Sequence, residues 1–205
     1  MSQNPYLEYA RSFRRLVVEG RDLPFGGIPK PEKPKLDDDA PVALILSPHP
    51  DDECVIGGLA LRLLRESGVR IVNVAVTLGS NRARQQERLE ELQGACDWIG
   101  FELQEIIPGG LECVTLQTRE NDPKQWERSV DRLREILDQW SPRAVFFPHA
   151  TDWNGTHVGV HFLTEDALLR RPEADTLLIE TEYWGQMPSP NLMVENTPEE
   201  VGDLL

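Results

Sequence analysis

The sequence lacks any run of about 18 successive apolar residues, the length a membrane-spanning helix needs. It also lacks a basic-then-apolar leader, so neither a membrane span nor a signal peptide is expected. Positive charge is scarce. Lysine and arginine number 21 against 35 aspartates and glutamates, a net −14 with a pI near 4.7. That balance argues against nucleic acid or an anionic membrane as partner, since both need basic patches. Cysteine is scarce too: Cys54, Cys96 and Cys113 are odd in number and widely spaced. They fit reduced thiols in a cytoplasmic protein and exclude a disulfide frame or a cysteine-rich zinc module. No Gly-x-Gly-x-x-Gly follows the first apolar run, where Gly57-Gly58 come too late, so a dinucleotide-binding loop ranks low. There are no internal repeats and no low-complexity tract.

What is present is enough for a core: 205 residues, 40% of them hydrophobic. Residues 6–18 carry apolar side chains at helical spacing, with Arg11, Arg14 and Arg15 between them; Gly20 ends this amphipathic helix. Residues 21–41, with prolines at 24, 29, 31, 34 and 41, read as an extended connector. Beyond it, short apolar runs alternate with helical patterns. Strands are expected at 42–46, 69–77, 101–107, 144–147 and 177–183, and helices at 53–66, 82–99, 124–140 and 157–170; residues 108–122 read as loop. This alternation predicts an α/β fold, a Rossmann-like open and mostly parallel sheet with helices on both faces. The expected divisions are an N-terminal helix (1–20), the connector (21–41), an α/β domain (42–190) and a tail (191–205). Thr197-Pro198-Glu199-Glu200 is a good helix start with only Val201 to Leu205 behind it, so the tail reads as a truncated helix or one that docks on another subunit.

The chemistry concentrates at two strand ends. Val42 to Leu46 runs into Ser47-Pro48-His49-Pro50-Asp51-Asp52-Glu53. The prolines hold an extended loop and present His49, Asp51 and Asp52 at the carboxyl end of a buried strand, where open parallel sheets place their sites. His49 and Asp52 are ordinary zinc ligands; Asp and Glu equally favour the first turn of a helix. A hundred residues on, Ala144 to Phe147 opens into Pro148-His149-Ala150-Thr151-Asp152-Trp153-Asn154-Gly155-Thr156-His157, with His161 after it. All four histidines of the chain lie in these two segments, which favours a metal site over two helix caps.

Pro48-His49-Pro50-Asp51-Asp52-Glu53 with a later Asp-x-Asn-x-x-His resembles the LmbE-like (PIG-L) family of zinc-dependent N-acetylglucosaminyl deacetylases, over roughly residues 41–190. The resemblance implies His49, Asp52 and His157 as ligands of one Zn2+ (one divalent metal per subunit), with the fourth position open to water, and Asp51 as general base. The plainer role for Asp51 is a carboxylate that orients His49 or His157. His161, one turn past His157, is expected to support the site or the core, since a fourth protein ligand would close it. Relatives carry His-Pro-Asp-His where this chain has Asn154-Gly155-Thr156-His157. The imidazole that steadies the oxyanion and the aspartate that helps it are both missing. Asn154 still offers a neutral hydrogen bond, and His149 is a candidate to replace the imidazole.

Arg88, in Arg-x-x-Glu-Leu, resembles the family's substrate-side arginine; a surface ion pair with Glu87, Glu90 or Glu91 is the alternative. Ser80 and Asn81, just after a strand, are candidates to face the pocket. Trp153, and Tyr183-Trp184, stack on a sugar or pack in the core. The reading is therefore a zinc deacetylase of an N-acetylglucosamine-type sugar or glycoconjugate, cytoplasmic, with an amino-sugar substrate and no nucleic-acid partner. The resemblance also implies a homo-oligomer, with hexamers common among relatives. Two alternatives stay open: a non-catalytic metal- and sugar-binding member of the fold, and an iron enzyme with two histidines and a carboxylate.

Overall fold

The computed structural model describes residues 4–24, 26–171 and 175–205. The chain forms two units, Met1–Lys30 and Pro31–Leu205. The first holds helix α1 (Pro5–Gly20). Asn4 caps it by accepting the Tyr6 N–H at 3.1 Å, and Pro5 takes the first turn, where its missing N–H costs nothing. None of its residues is buried.

The second unit is built on five strands: β1 (Val42–Ser47), β2 (Arg70–Ala75), β3 (Glu102–Glu105), β4 (Ala144–Pro148) and β5 (Leu177–Thr181). Their order is β3-β2-β1-β4-β5, and every pairing is parallel. β1 is central, with Leu44 opposite Val72 on one side and Val145 on the other. A central parallel strand is covered on both faces, which is why β1 reads as an unbroken apolar run and not as an alternation. Its side chains still divide by period two. Leu44, Leu46, Val72, Val74, Val145 and Phe147 form one layer with helices α6 (Pro123–Trp140) and α7 (Gly155–Leu168). Ala43, Ile45, Ile71 and Phe146 form the other with α3 (Gly57–Ser67) and α4 (Gln85–Ile99). The expected α/β architecture is therefore present, and the sheet is wholly parallel.

Strand order reverses direction between β1 and β4. Such a switch point leaves a crevice at the carboxyl ends of the two strands. His49 follows β1 and His149 follows β4, so the crevice receives both histidine-bearing loops.

Three local expectations differ from the structure. The helix expected at 53–66 is broken at Ile56 into α2 (Asp52–Val55) and α3. The tail explains the glycines at the break. A Cβ on Gly58 would stand 2.3 Å from the Asn196 side chain, and one on Gly57 2.8 Å from Leu204. Residues 116–121, read as loop, form α5 (Leu116–Asn121), capped by Thr115 and tied to α7 by two Arg119–Asp166 hydrogen bonds of 2.8 and 2.9 Å. The tail helix α8 (Pro198–Leu204) carries a complete capping box and seats on α3 of its own chain, with Arg65 2.7 Å from Asp203. No helix among the described residues is long and apolar enough to cross a membrane.

Candidate active site

Each site loop is pinned at the proline that precedes its histidine. The Pro48 carbonyl accepts from the Thr77 hydroxyl at 2.6 Å, and the Pro148 carbonyl lies 2.9 Å from Nδ1 of His161, which donates to it. After Pro50 the chain turns through Asp51 at φ 100°, a left-handed conformation that aspartate tolerates better than most residues. The buried Glu53 carboxylate accepts the Asp51 N–H at 3.1 Å and steadies that turn. The Asp51 side chain makes no helix-capping hydrogen bond. Asp52, buried, accepts the His49 N–H at 2.8 Å through Oδ2. On the second loop, Asn154 caps α7 by accepting the Thr156 N–H at 2.8 Å, which sets His157 in the first turn, pointing into the crevice.

The loops bring three donor atoms together. His49 Nδ1 and His157 Nε2 are 3.2 Å apart, and each lies 3.4 Å from Asp52 Oδ2. His157 and Asp52 are buried, while His49 keeps an edge at the surface. Zinc bonds near 2.0 Å place neighbouring donors of a tetrahedron roughly 3.3 Å apart. The triangle has those edges, and its donors are two imidazoles and a carboxylate, so the residues fit such an ion. Burial would raise the Asp52 carboxyl; hydrogen bonds from His157 and His49 outweigh it and hold the group below the usual carboxylate range.

Behind the triangle stands Asp152, to which sequence reasoning gave no role although the second motif begins on it. Its Oδ1 lies 3.5 Å from Nδ1 of His157, a nitrogen otherwise buried without a partner. It accepts backbone N–H groups from Asn154 (2.8 Å), Trp184 (3.0 Å) and Gly185 (3.2 Å). A carboxylate at the outer nitrogen of a ligating histidine is the usual way to fix that ring's orientation. Tyr183 was also given no part in the metal site; its ring meets that of His157 edge-on, with centroids 4.7 Å apart.

The remaining sequence candidates lie outside the triangle. Asp51 sits at the exposed side, with Oδ2 3.3 Å from Arg88, which also donates to the Pro50 carbonyl at 2.7 Å. Partial burial, then the charge of Asp52, raise the Asp51 carboxyl against the pull of Arg88. The glutamates near Arg88 are engaged elsewhere: Glu87 and Glu91 pair with Arg84, at 3.0 and 3.6 Å. Ser80 and Asn81 lie exposed on the loop after β2, where Asn81 accepts the Ala83 N–H at 3.2 Å. Trp153 is 80% exposed and so not in the core. His149 does not join the triangle. It lies behind Asp152, Nε2 donating to the Gly185 carbonyl at 2.8 Å and Nδ1 3.0 Å from the Thr151 hydroxyl. His161 stays buried between Phe147 and Phe162, outside the triangle.

A family model described as "PIG-L: GlcNAc-PI de-N-acetylase" matches residues 44–168, which include both histidine loops. No curated protein matches the chain. Among solved structures it is similar to the conserved protein TT1542 from Thermus thermophilus, at 21% identity and a TM-score of 0.57, covering 79% of this chain and 74% of that one. It is also similar to the A40926 pseudoaglycone deacetylase Dbv21, at 15% identity and 0.59, covering 82% and 79%. A third is the zinc-inhibited form of the teicoplanin deacetylase Orf2, at 14% identity and 0.57, covering 80% of each chain. At these identities the likeness is one of fold.

Proposed function

The chain belongs to the PIG-L family of GlcNAc-PI de-N-acetylases, and from that premise we propose that it is a zinc-dependent deacetylase, hydrolysing the N-acetyl amide of an amino sugar or glycoconjugate. The observation that carries the reading is the triangle of His49, Asp52 and His157, with edges of 3.2 to 3.4 Å. These residues would hold one divalent ion, which when bound supplies a Lewis acid and a water of lowered pKa.

The chain's own groups do the rest. Asp51, beside the triangle and open to solvent, takes a proton from the water that adds to the acetyl carbon. Once protonated, it returns the proton to the nitrogen as the carbon–nitrogen bond breaks, leaving acetate and a free amine. Arg88 donates to the Asp51 carboxylate at 3.3 Å and limits its motion. Asp152 keeps the His157 ring in the tautomer and orientation that a ligand needs. Trp153, Ser80 and Asn81 line the outer rim, where a sugar and its aglycone enter. The three reduced thiols fit a cytoplasmic protein.

Asn154 supports a second reading. Its side chain is a carboxamide whose oxygen accepts the Thr156 N–H, and a carboxamide is no acid. A protein that binds a metal and a sugar without turnover would tolerate that. Acetate release from N-acetylglucosamine glycosides by the zinc-loaded protein separates the two. The deacetylase reading expects release, and a loss of about 10² to 10⁴ in kcat for Asp51→Asn with zinc still bound. No release by the wild type from any such glycoside favours the binding protein.

A further inference from the structure

Glu53 follows the ligand Asp52 in the first turn of α2, and only 1% of it is exposed. The hydrolysis above gives it no task. Both of its carboxylate oxygens are engaged locally: Oε2 accepts the Asp51 N–H at 3.1 Å, and Oε1 lies 3.5 Å from the Cys54 thiol, which donates to it. Among the described residues no lysine, arginine or histidine pairs with this carboxylate, and the charge beside it, that of Asp52, is of the same sign. Burying a carboxylate without a cation is costly, and an apolar side chain of similar volume would suit such a place better. What Glu53 holds explains why it is there.

Asp51 stands at φ 100° and ψ −25°, in the left-handed region, where any residue with a Cβ is strained. A residue stays in such a conformation only when its surroundings fix it from several sides. The carbonyl side is fixed by α2, because the Asp51 carbonyl accepts the Cys54 and Val55 N–H groups at 3.1 and 3.3 Å. The side chain meets Arg88 at 3.3 Å, a contact that leaves the backbone free to turn. The N–H side is held by Glu53. With the carbonyl fixed, the direction of that N–H decides φ, and φ decides how the carboxylate stands to the loop that carries His49.

We propose that Glu53 is a positioning residue for the proton transfer. Its carboxylate grips the Asp51 N–H, keeps Asp51 in the left-handed conformation, and so keeps the Asp51 carboxylate where it takes and returns the proton. Glu53 itself meets neither the substrate nor the candidate ion. This assignment rests on the deacetylase reading above, in which Asp51 is the base.

Two variants test it. Glu53→Met removes the acceptor and keeps the length and helix propensity of the side chain. Glu53→Gln keeps an oxygen for the Asp51 N–H and loses the charge. Both are expected to fold, with zinc dissociation constants within about threefold of wild type, because the ligand set is untouched. In the methionine variant kcat for acetate release is expected to fall about 10- to 100-fold, with KM within about threefold. In the glutamine variant kcat is expected within about threefold of wild type, since the hydrogen bond survives. A methionine variant that does not fold would make Glu53 a support of the fold, and a zinc affinity down by about 10-fold or more would make it a support of the ligands. An unchanged kcat, or a glutamine variant as slow as the methionine one, would show that the acceptor does not set the rate. Each of these overturns the proposal. If the wild type releases no acetate from any N-acetylated amino sugar, it is the functional reading that fails. A crystal structure of the methionine variant then decides the part of Glu53: Asp51 moved out of the left-handed region supports it, and Asp51 still at a φ of 100° overturns it.

Discussion

Asp152 places a carboxylate oxygen 3.5 Å from Nδ1 of His157, on the opposite side of the imidazole from Asp52, whose own oxygen lies 3.4 Å from Nε2. The ring is thus held between two buried carboxylates that do different work. One shares the candidate ion, and the other fixes the ring that reaches it. Three backbone N–H groups in turn fix Asp152, so the orientation of His157 is settled by the backbone of two loops before any ion arrives.

Asp152→Asn is therefore expected to weaken zinc binding by about 10- to 100-fold. The measurement is a competitive zinc titration of the folded variant. Affinity equal to wild type would show that the neighbouring helix, and not Asp152, sets the ring.

Gly159 lies two residues beyond His157 on α7, and the backbone of residues 114–115 runs against it. A Cβ there would come within 2.1 Å of the Val114 carbonyl oxygen. Alanine is worth about 1 kcal/mol more than glycine in a helix interior, but the obstacle is backbone and cannot swing aside. Gly159→Ala is expected to destabilise the fold by about 1–3 kcal/mol, read from urea unfolding. Stabilisation by the helix-propensity amount would contradict the close approach.

The strand ends were legible because a parallel sheet buries its central strands on both faces. β1 and β4 therefore announce themselves as short apolar runs, and the four histidines mark the loops that leave them. Ligand and cap could not be told apart at Asp52 from sequence, since a carboxylate suits both. Only the convergence of a loop from a hundred residues away sets that carboxylate against two imidazoles. Arg88 was balanced between substrate and surface because its nearby glutamates are visible in sequence, while its partner Asp51 is 37 positions distant. Short α5 shows no apolar stripe, and the break before Gly57 answers to a tail that no local pattern reveals. Tyr183 was hidden for a related reason: which way a side chain points after a strand depends on the turn, and that turn is set by Asp152.

The cysteines give a test independent of the site chemistry. Cys113 is exposed, Cys54 is half-buried and Cys96 is buried. Burial pushes the Cys54 thiol up to about 12 and raises the Cys96 thiol well beyond the ordinary range. A raised thiol holds less of the reactive thiolate at any pH below its pKa. At pH 8 one thiol, Cys113, is expected to react promptly with a disulfide reagent, and Cys96 only after unfolding. Prompt labelling of Cys96 in the native protein would contradict the packing of α4 on the sheet.

The proposed hydrolysis requires that His49, Asp52 and His157 hold one ion. The direct measurement is a crystal structure of the zinc-loaded protein with anomalous scattering recorded at the zinc edge. A single peak is expected about 2.0–2.2 Å from His49 Nδ1, Asp52 Oδ2 and His157 Nε2. A peak bound by other residues, or no peak between two imidazoles still 3.2 Å apart, would contradict it.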